Sequence, residues 1–458
     1  MKFCFLIPDG VGIRNYLYSD IIKDLTSGSN EVIIWHSLGK AQISQVKEIV
    51  GLDFLDYDFI HRPELPLVKF IRETTTYARL KQNVKLKENP TILDNWMPRK
   101  IGWKNKLFYK LVEKSALFLN NYREIHSFEK IGFLQVRKSQ AYKESLQFLR
   151  KTKPDVLFCT HQRVPSITPA VLAAQDLQIK TFTAVFSWDN LPKARLAFRT
   201  DRYLVWSDYM KDELLTYYPE IDENQIDVTS TTQFDFYRKE ELIDERADFA
   251  EKYGLDQDKK WICFSGSDSI SSPNDHEYLE DVAEALKNQN NVQLIFREVP
   301  VESIDRFKEV LSKFPEIKNI SPEWVKSSQW GSFFPLPSDI KLLVNLAYHC
   351  DVVINLGSTM ALDFAVFGST AFYLAYDQPH ERKRFVKDVY GFEHFKTMNG
   401  LDAVGWIRSK DAILPSIHKA LSSQGEVGPD KMKWFERVVQ PHRTETSSQR
   451  IVKALIKN

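Results

Sequence analysis

Hydrophobic positions along the chain fall into two alternating patterns. Short runs of β-branched or aromatic residues, KFCFLIP, EVIIWHS, DVLFCTH, KTFTAVFS and RYLVWS early and WICFSG, VQLIFRE, DVVINLG and AFYLAY later, are separated by longer stretches with helical spacing. Apolar runs of this length predict strands buried on both faces, and their alternation with helices predicts an α/β architecture with parallel sheets. Between the two sets, Arg238 to Lys260 (RKEELIDERADFAEKYGLDQDKK) is charged and poor in large apolar residues. It is expected to be a linker, the alternative being one more solvated helix inside a larger domain. Two α/β domains are therefore expected, at 1–240 and 241–430, with a last segment at 431–458. If the domains face each other, the carboxyl ends of both sheets share a cleft, where open parallel sheets bind ligands.

The loops after these strands are where chemistry is sought. The stretch DVVINLGSTMALDFAVFG (Asp351 to Gly368) reads as a buried strand, a tight turn at Gly357, caps at Ser358 and Thr359, and a helix carrying Asp363. Free amides at the helix start suit a phosphate, and Asp363, about one turn on, suits a ribose or sugar hydroxyl. A second strand, loop and helix, WICFSGSDSISSPNDHEYLEDVAEAL, places Gly266 and Ser267 where backbone amides can wrap a phosphate. It has neither P-loop nor GxGxxG spacing. VQLIFREVP ends on Arg297 and Glu298; Arg297 suits a diphosphate, and a surface ion pair is the plain alternative.

In the first half, IPDGVGIRNYLYSDIIKDL reads as strand, glycine loop and helix, with Gly12 in the turn and Asp9, Arg14 and Asn15 where a sheet end meets substrate. His161, in FCTHQRVPS, follows another strand end and is the candidate base for an acceptor hydroxyl, with Asp9 as its rival. Trp188 and Asp189, in SWDN, sit at a neighbouring strand end, where an indole could stack on a sugar and a carboxylate fix its hydroxyls. Core packing is the alternative for Trp188. Asp56-Tyr57-Asp58 forms a DxD triplet, read as loop acidity because no nucleotide-site pattern accompanies it.

The 458 residues exceed what one core usually organises, and the formal net charge of +1 gives no global attraction for nucleic acid. Cys4, Cys159, Cys263 and Cys350 lack metal-ligand spacing and are expected to be buried reduced thiols; no metal is expected. No run approaches a membrane span, and Met1 leads into FCFLIP without a cleavable signal pattern, so the chain reads as cytoplasmic. Locally the picture differs. From Lys69 to Lys114 twelve Lys or Arg stand against Glu73, Glu88, Asp94 and Glu113, interleaved with Trp96, Trp103, Phe108 and Tyr109. Basic and aromatic residues together suit an anionic membrane surface or a lipid-linked diphosphate acceptor. A solvated helical insertion is the alternative, and no nucleic-acid-binding motif is present.

The segments FSWDNLPKARLAFRTDRYLVWSDYMKDELLTYYPEI, DVTSTTQFDFY and CDVVINLGSTMALDFAVFGSTAFYLAYDQP resemble bacterial glycosyltransferases of the GT-B fold, in particular surface-polysaccharide enzymes and relatives that transfer glycerol phosphate from CDP-glycerol. The resemblance spans roughly residues 155 to 400. It implies two Rossmann-like domains, an acceptor-binding first and a donor-binding second, with KWFERVVQPHRTETSSQRIVKALIKN crossing back to the first. It further implies Gly266, Ser267, Ser358 and Thr359 at the donor diphosphate, Asp363 at the ribose, and Asp377 and Gln378 at the transferred sugar. Where glycerol-phosphate transferases commonly carry an Arg-Pro-His-Pro-like stretch, this chain has FREVP, with Glu298 in place of the histidine. Sugar transfer from a nucleoside diphosphate sugar to a hydroxyl acceptor, without a required cofactor, is the expected activity. A CDP-polyol phosphotransferase, a sugar-nucleotide epimerase and a non-catalytic nucleotide-sugar-binding scaffold are the alternatives.

Overall fold

The computed structural model describes every residue except 11, 53, 301, 326–332, 381–384, 424 and 458. The chain divides into two compact units, the first built mainly from Met1–Gln233 and Val438–Asn458, the second from Phe234–Val325 and Pro335–Arg437.

Unit 1 is a seven-stranded parallel sheet in the order β3-β2-β1-β4-β5-β6-β7. Its strands are β1 (Lys2–Ile7), β2 (Glu31–His36), β3 (Leu55–Asp58), β4 (Val156–Cys159), β5 (Lys180–Ala184), β6 (Arg202–Val205) and β7 (Ile226–Val228). Helices α1 (Ile21–Thr26) and α2 (Lys40–Val50) join the first three strands, and α7 (Thr168–Asp176) and α8 (Asp208–Tyr217) serve the later ones. Between β3 and β4 the chain inserts α3 (Pro66–Lys87), α4 (Gly102–Ser115), α5 (Tyr122–Val136) and α6 (Gln140–Thr152). The five predicted strands of this half are all present, because each is a β-branched or aromatic run whose side chains are buried on both faces.

Unit 2 repeats the plan with six parallel strands in the order β10-β9-β8-β13-β14-β15. They are β8 (Lys260–Ser265), β9 (Val292–Arg297), β10 (Lys318–Ile320), β13 (Val352–Asn355), β14 (Thr370–Leu374) and β15 (Gly405–Ile407); a ribbon of β11 (Trp324–Val325) and β12 (Phe334–Pro335) lies outside both sheets. Helices α9 (Arg246–Tyr253), α10 (Asp275–Leu286), α11 (Lys308–Lys313), α12 (Pro337–His349), α13 (Met360–Ala365), α14 (Val386–Tyr390), α15 (Ile413–Ser422) and α16 (Lys431–Val438) follow in chain order. The last helix, α17 (Ser447–Ile456), packs on α1 in unit 1. In α16, by contrast, Trp434 is buried and donates to Thr397 Oγ1 at 2.9 Å within unit 2.

Three expectations change. The division falls at Gln233, upstream of residue 240, and the charged stretch expected to be a linker belongs to unit 2. Its helix α9 buries Phe249 and Ala250, while Arg246 stacks on Trp261 at 3.6 Å and donates to the carbonyls of Gln257, Lys259 and His349. The DxD triplet is not a loop: it forms β3, the edge strand, with Asp56 paired to Lys47 and 3.6 Å from His36 Nε2. The helix after Gly357 is short, ending at Ala365.

The insertion is fastened to the sheet by buried charges. Arg79 of α3 donates to the Tyr217 carbonyl at 2.7 Å and lies 3.2 Å from Glu129 and 3.1 Å from Glu220. Arg199 reaches the same two carboxylates at 2.8 and 2.5 Å, and both guanidinium groups lie over the Tyr218 ring. His126, Glu129 and Glu220 come within metal-ligating reach of one another, but the two arginines already balance their charge. Burial alone would raise the Glu129 carboxyl; Arg199 and Arg79 override it and hold the group down at about 2.

Removing one partner strands its neighbours' charge in the interior, so Arg79→Met is expected to cost about 3–5 kcal/mol of unfolding free energy by denaturant titration. Because the folded Glu129 pKa lies below its ordinary 4.5, its contribution is present above that value and lost as pH falls toward about 2. Glu129→Gln is expected to flatten this acid limb of the stability profile.

Candidate functional site

At the carboxyl end of the unit 1 sheet, the chain leaves β1 through Pro8 and Asp9 and enters a π-helical turn, Ile13–Leu17. Gly12 is required by packing: a Cβ there would lie 2.8 Å from Ile7 Cγ2 and 2.9 Å from Thr160 Oγ1. Arg14 is oriented by Asn15 Oδ1 at 3.0 Å and Gln233 Oε1 at 3.1 Å, and Asn15 itself is buried, its carbonyl accepting from Thr232 Oγ1.

The two residues read as rival bases meet. Asp9 Oδ2 lies 2.5 Å from His161 Nδ1, across 152 residues of sequence. With Nδ1 donating to the carboxylate, Nε2 carries the lone pair, and it is buried with no hydrogen-bond partner. The imidazole packs against Phe186, ring centroids 4.6 Å apart, which fixes its plane. An imidazole held by a carboxylate with its second nitrogen unpartnered is an arrangement that can accept a proton. Trp188 is only 4% exposed, so its indole is enclosed by the fold. Asp189 accepts from Asn190 Nδ2 at 2.7 Å and pairs with Lys193.

In unit 2 the strand ends bring a second set of polar groups into place. The Gly266 amide donates to the Arg297 carbonyl at 2.9 Å, and the Ser267 amide to Asp275 Oδ2 at 2.7 Å, so neither is open to a phosphate as expected from sequence. Arg297 is 3% exposed and bonded through Nη2 to Asp339 at 2.5 Å. Its Nη1 is buried without a partner. Glu298 turns to the sheet edge, accepting from Asn319 at 2.7 Å and Ser321 at 2.5 Å.

After β13, Asn355 Oδ1 accepts the Ser358 amide at 2.8 Å while its Nδ2 is buried and unpartnered. Gly357 adopts φ +73, and a Cβ there would lie 2.8 Å from the Phe395 ring, so the close approach it permits is that of a core aromatic. Thr359 is exposed at the start of α13, and Asp363 is 4% exposed on that helix. After β14, Asp377 accepts the Val386 amide at 2.6 Å, and Gln378 donates to Asp281 at 2.9 Å. Asp377 also lines a cavity of about 310 Å³ with Tyr390, Trp406, Lys387 and Arg408, an aromatic and cationic lining that suits a nucleotide.

Sequence reading missed the partners that fix these groups. Asp339 lies in an ordinary helix start, and Asp275 opens α10 without a motif around it. His61, whose Nδ1 is 2.6 Å from Ser166 Oγ, feels the Asp9 charge, although burial lowers its pKa overall. The basic insertion divides on inspection: Arg72 pairs with Glu64 and Glu73 and Lys100 with Glu113, while Lys104, Lys106, Lys110 and Lys114 are exposed on α4. The four cysteines are buried and free. Among the described residues, no helix is long and apolar enough to cross a membrane.

No protein-family model matches the chain, and no curated protein does. Solved structures do. UDP-GlcNAc 2-epimerase from Neisseria meningitidis, bound to UDP-GlcNAc, matches over all of both chains with TM-score 0.53 and 12% sequence identity. The UDP-GlcNAc 2-epimerase of Methanocaldococcus jannaschii does so with TM-score 0.54 and 13% identity. A structure of S. aureus MnaA with UDP matches at TM-score 0.52 and 13% identity, over 100% of this chain and 97% of that one. The fold is GT-B. At these identities the likeness speaks for the fold of this GT-B protein and leaves its substrate and reaction to its own residues.

Burial pushes the Asp275 carboxyl up to about 7, against the pull of the Ser267 amide and Arg306. A folded pKa above the ordinary 3.8 means that stability from this group is full below about 3.8 and lost as pH rises through about 7. Asp275→Asn, which mimics the neutral acid, is expected to remove that decline when unfolding free energies are compared at pH 5 and pH 8.

Proposed function

We propose that this protein transfers a glycosyl group from a nucleoside diphosphate sugar to a hydroxyl acceptor. The observation that carries the reading is the Asp9–His161 pair, with His161 Nε2 buried and unspent. In this reading the acceptor oxygen attacks the anomeric carbon and its proton passes to Nε2. The bond from that carbon to the diphosphate breaks, with its electron pair leaving on the diphosphate. Arg297 Nη1 and the lysine and arginine beside Asp377 are the unit 2 groups suited to the leaving charge. Asp363, Ser358, Thr359, Asp377 and Gln378 are proposed to position the donor, and Arg14, Asn15 and Asp189 the acceptor. No metal is assigned a role.

A second reading, sugar-nucleotide epimerisation, is favoured by the solved structures that share the fold, which are named as UDP-GlcNAc 2-epimerases. It consumes the donor without an acceptor, so the two separate in one assay: conversion of nucleotide sugars with and without hydroxyl acceptors. Glycerol-phosphate transfer fits less well, since Glu298 occupies the expected histidine position and is bonded to Asn319 and Ser321.

For the transferase, His161→Ala is expected to lower kcat by about 100-fold or more, in the range general-base catalysis supplies, with nucleotide binding by thermal shift unchanged. A variant that turns over at the wild-type rate would overturn the assignment. Arg297→Ala is a poor probe because it strands Asp339 in the interior; Arg297→Lys keeps the ion pair and is expected to slow turnover at saturating donor.

A further inference from the structure

We propose that a cavity in unit 1 binds a phosphate-headed amphiphile, with Arg163 and Arg195 on the phosphate and the apolar faces of α3 and α5 along its hydrocarbon chain. The cavity measures about 330 Å³, within the range of small-ligand sites. One wall is made by Val68 and Ile71 of α3 and Phe133 and Val136 of α5, all apolar. The same cavity is lined by the two arginines, from the loops after β4 and β5.

The charge arrangement is the argument for an anion. The other arginines on this lining are spent: Arg62 forms a two-pronged contact with Glu144, and Arg72 is held by Glu64 and Glu73. Arg163 and Arg195 have no hydrogen-bond or ion-pair partner among the described residues, and both are half-buried. Burial lowers the Arg195 guanidinium, and the charge of Arg163 pushes it the same way. Glu73 and Tyr218 pull the Arg195 guanidinium the other way, but among the described residues no carboxylate bonds to either arginine, and an oxyanion in the cavity they both line is what their planar forks match.

The walls say what the rest of the ligand is. Val68, Ile71 and Val136 are mostly buried, and Val68 and Val136 share one apolar cluster with Phe133; together these side chains give the cavity an apolar lining that a hydrocarbon chain matches and a free phosphate or sugar does not. The adjoining helix α4 carries an outward apolar row, with Ile101 80% and Trp103 71% exposed and Leu107 and Leu111 at four-residue spacing, flanked by Lys104, Lys106, Lys110 and Lys114. Such a face suits an anionic bilayer surface, the place where a phosphorylated lipid is found. Arg163 lies two residues after His161 on the loop that follows β4. Taking the amphiphile as the acceptor rests on the transferase reading; its binding does not.

The test is binding of farnesyl phosphate, farnesol and inorganic phosphate to the full chain by calorimetric titration. Farnesyl phosphate is expected to bind at least about tenfold more tightly than either of the others. Arg163→Gln and Arg195→Gln are each expected to weaken it at least about tenfold, and Arg195→Lys less. Because each Gln variant removes one of two like charges, its Tm is expected to match or exceed the parent's. Equal affinity for farnesyl phosphate and either partial ligand overturns the proposal, as does full affinity in both Gln variants. A marked drop in Tm in those variants would make the arginines structural, and also overturns it. Thermal shifts with nucleotides keep the two readings apart: nucleotide binding without farnesyl phosphate binding defeats the cavity assignment alone, and the reverse defeats the donor assignment alone.

Discussion

Unit 1 depends on the buried charge network of Arg79, Arg199, Glu129 and Glu220. Its members come from α3, the loop before β6, α5 and the loop after α8, so one small cluster sets where a long helical insertion rests on a parallel sheet. Desolvating four charges is costly, and a well-packed apolar cluster of the same volume could stabilise the unit as much. Carboxylate oxygens shared between two arginines give what apolar packing does not, directional contacts that tie the insertion to the loops beside the sheet. Glu129 also lines the cavity between α3 and α5, so the cluster that fixes the insertion defines the floor of the proposed lipid site.

Both units put a strand, a loop and a helix at each candidate position, yet they treat polar atoms differently. Among the strand-end groups of the proposed site, His161 Nε2 in unit 1 is an unpartnered acceptor and Arg297 Nη1 and Asn355 Nδ2 in unit 2 are unpartnered donors; elsewhere unit 1 also buries an unpartnered donor, Arg79 Nε, and unit 2 an unpartnered acceptor, Asp275 Oδ1. Buried polar atoms in folded chains are nearly always satisfied, and those that are not concentrate where a ligand completes them. An acceptor suits an incoming hydroxyl proton; donors suit an anion. At those positions the difference supports the proposed division of acceptor and nucleotide chemistry between the units.

Central strands were legible in the sequence because burial on both faces writes a continuous apolar run. Edge strands were not: β3 is LDYD, and β7, β10 and β15 are three residues each, too short and too polar to show a period. The charged stretch from Arg238 misled for a related reason, since Arg246 earns its place by stacking on Trp261 and capping carbonyls, contacts a composition window does not see. The candidate residues lie at strand ends, but their pairings were invisible in the sequence. Asp9 and His161 stand 152 positions apart, and Arg297 finds Asp339 in a later helix. Gly357 shows the limit most plainly: the sequence asks for close approach, and only coordinates show that a phenylalanine is what approaches.

The basic stretch from Lys69 to Lys114 shows why a charge count is a poor guide to a surface. Arg79 is consumed inside the fold, Arg72 and Lys100 are neutralised by neighbouring carboxylates, and Lys69 lies over the Phe108 ring. Once these are set aside, Lys81, Lys85 and Arg99 remain exposed beside the four lysines of α4, which carries the larger share. That helix already buries Tyr109 and Val112 on its inner side, so its outward row of Ile101, Trp103, Leu107 and Leu111 makes it apolar on two faces. A helix that needs only one apolar face to pack gains nothing from the second in water. Lysines between those residues oppose aggregation with another copy of the same face, since like charges would be brought together, and favour a surface of opposite sign. The same sign preference governs Arg163 and Arg195, so the helix and the cavity next to it select for one kind of molecule, anionic at the head and apolar behind it.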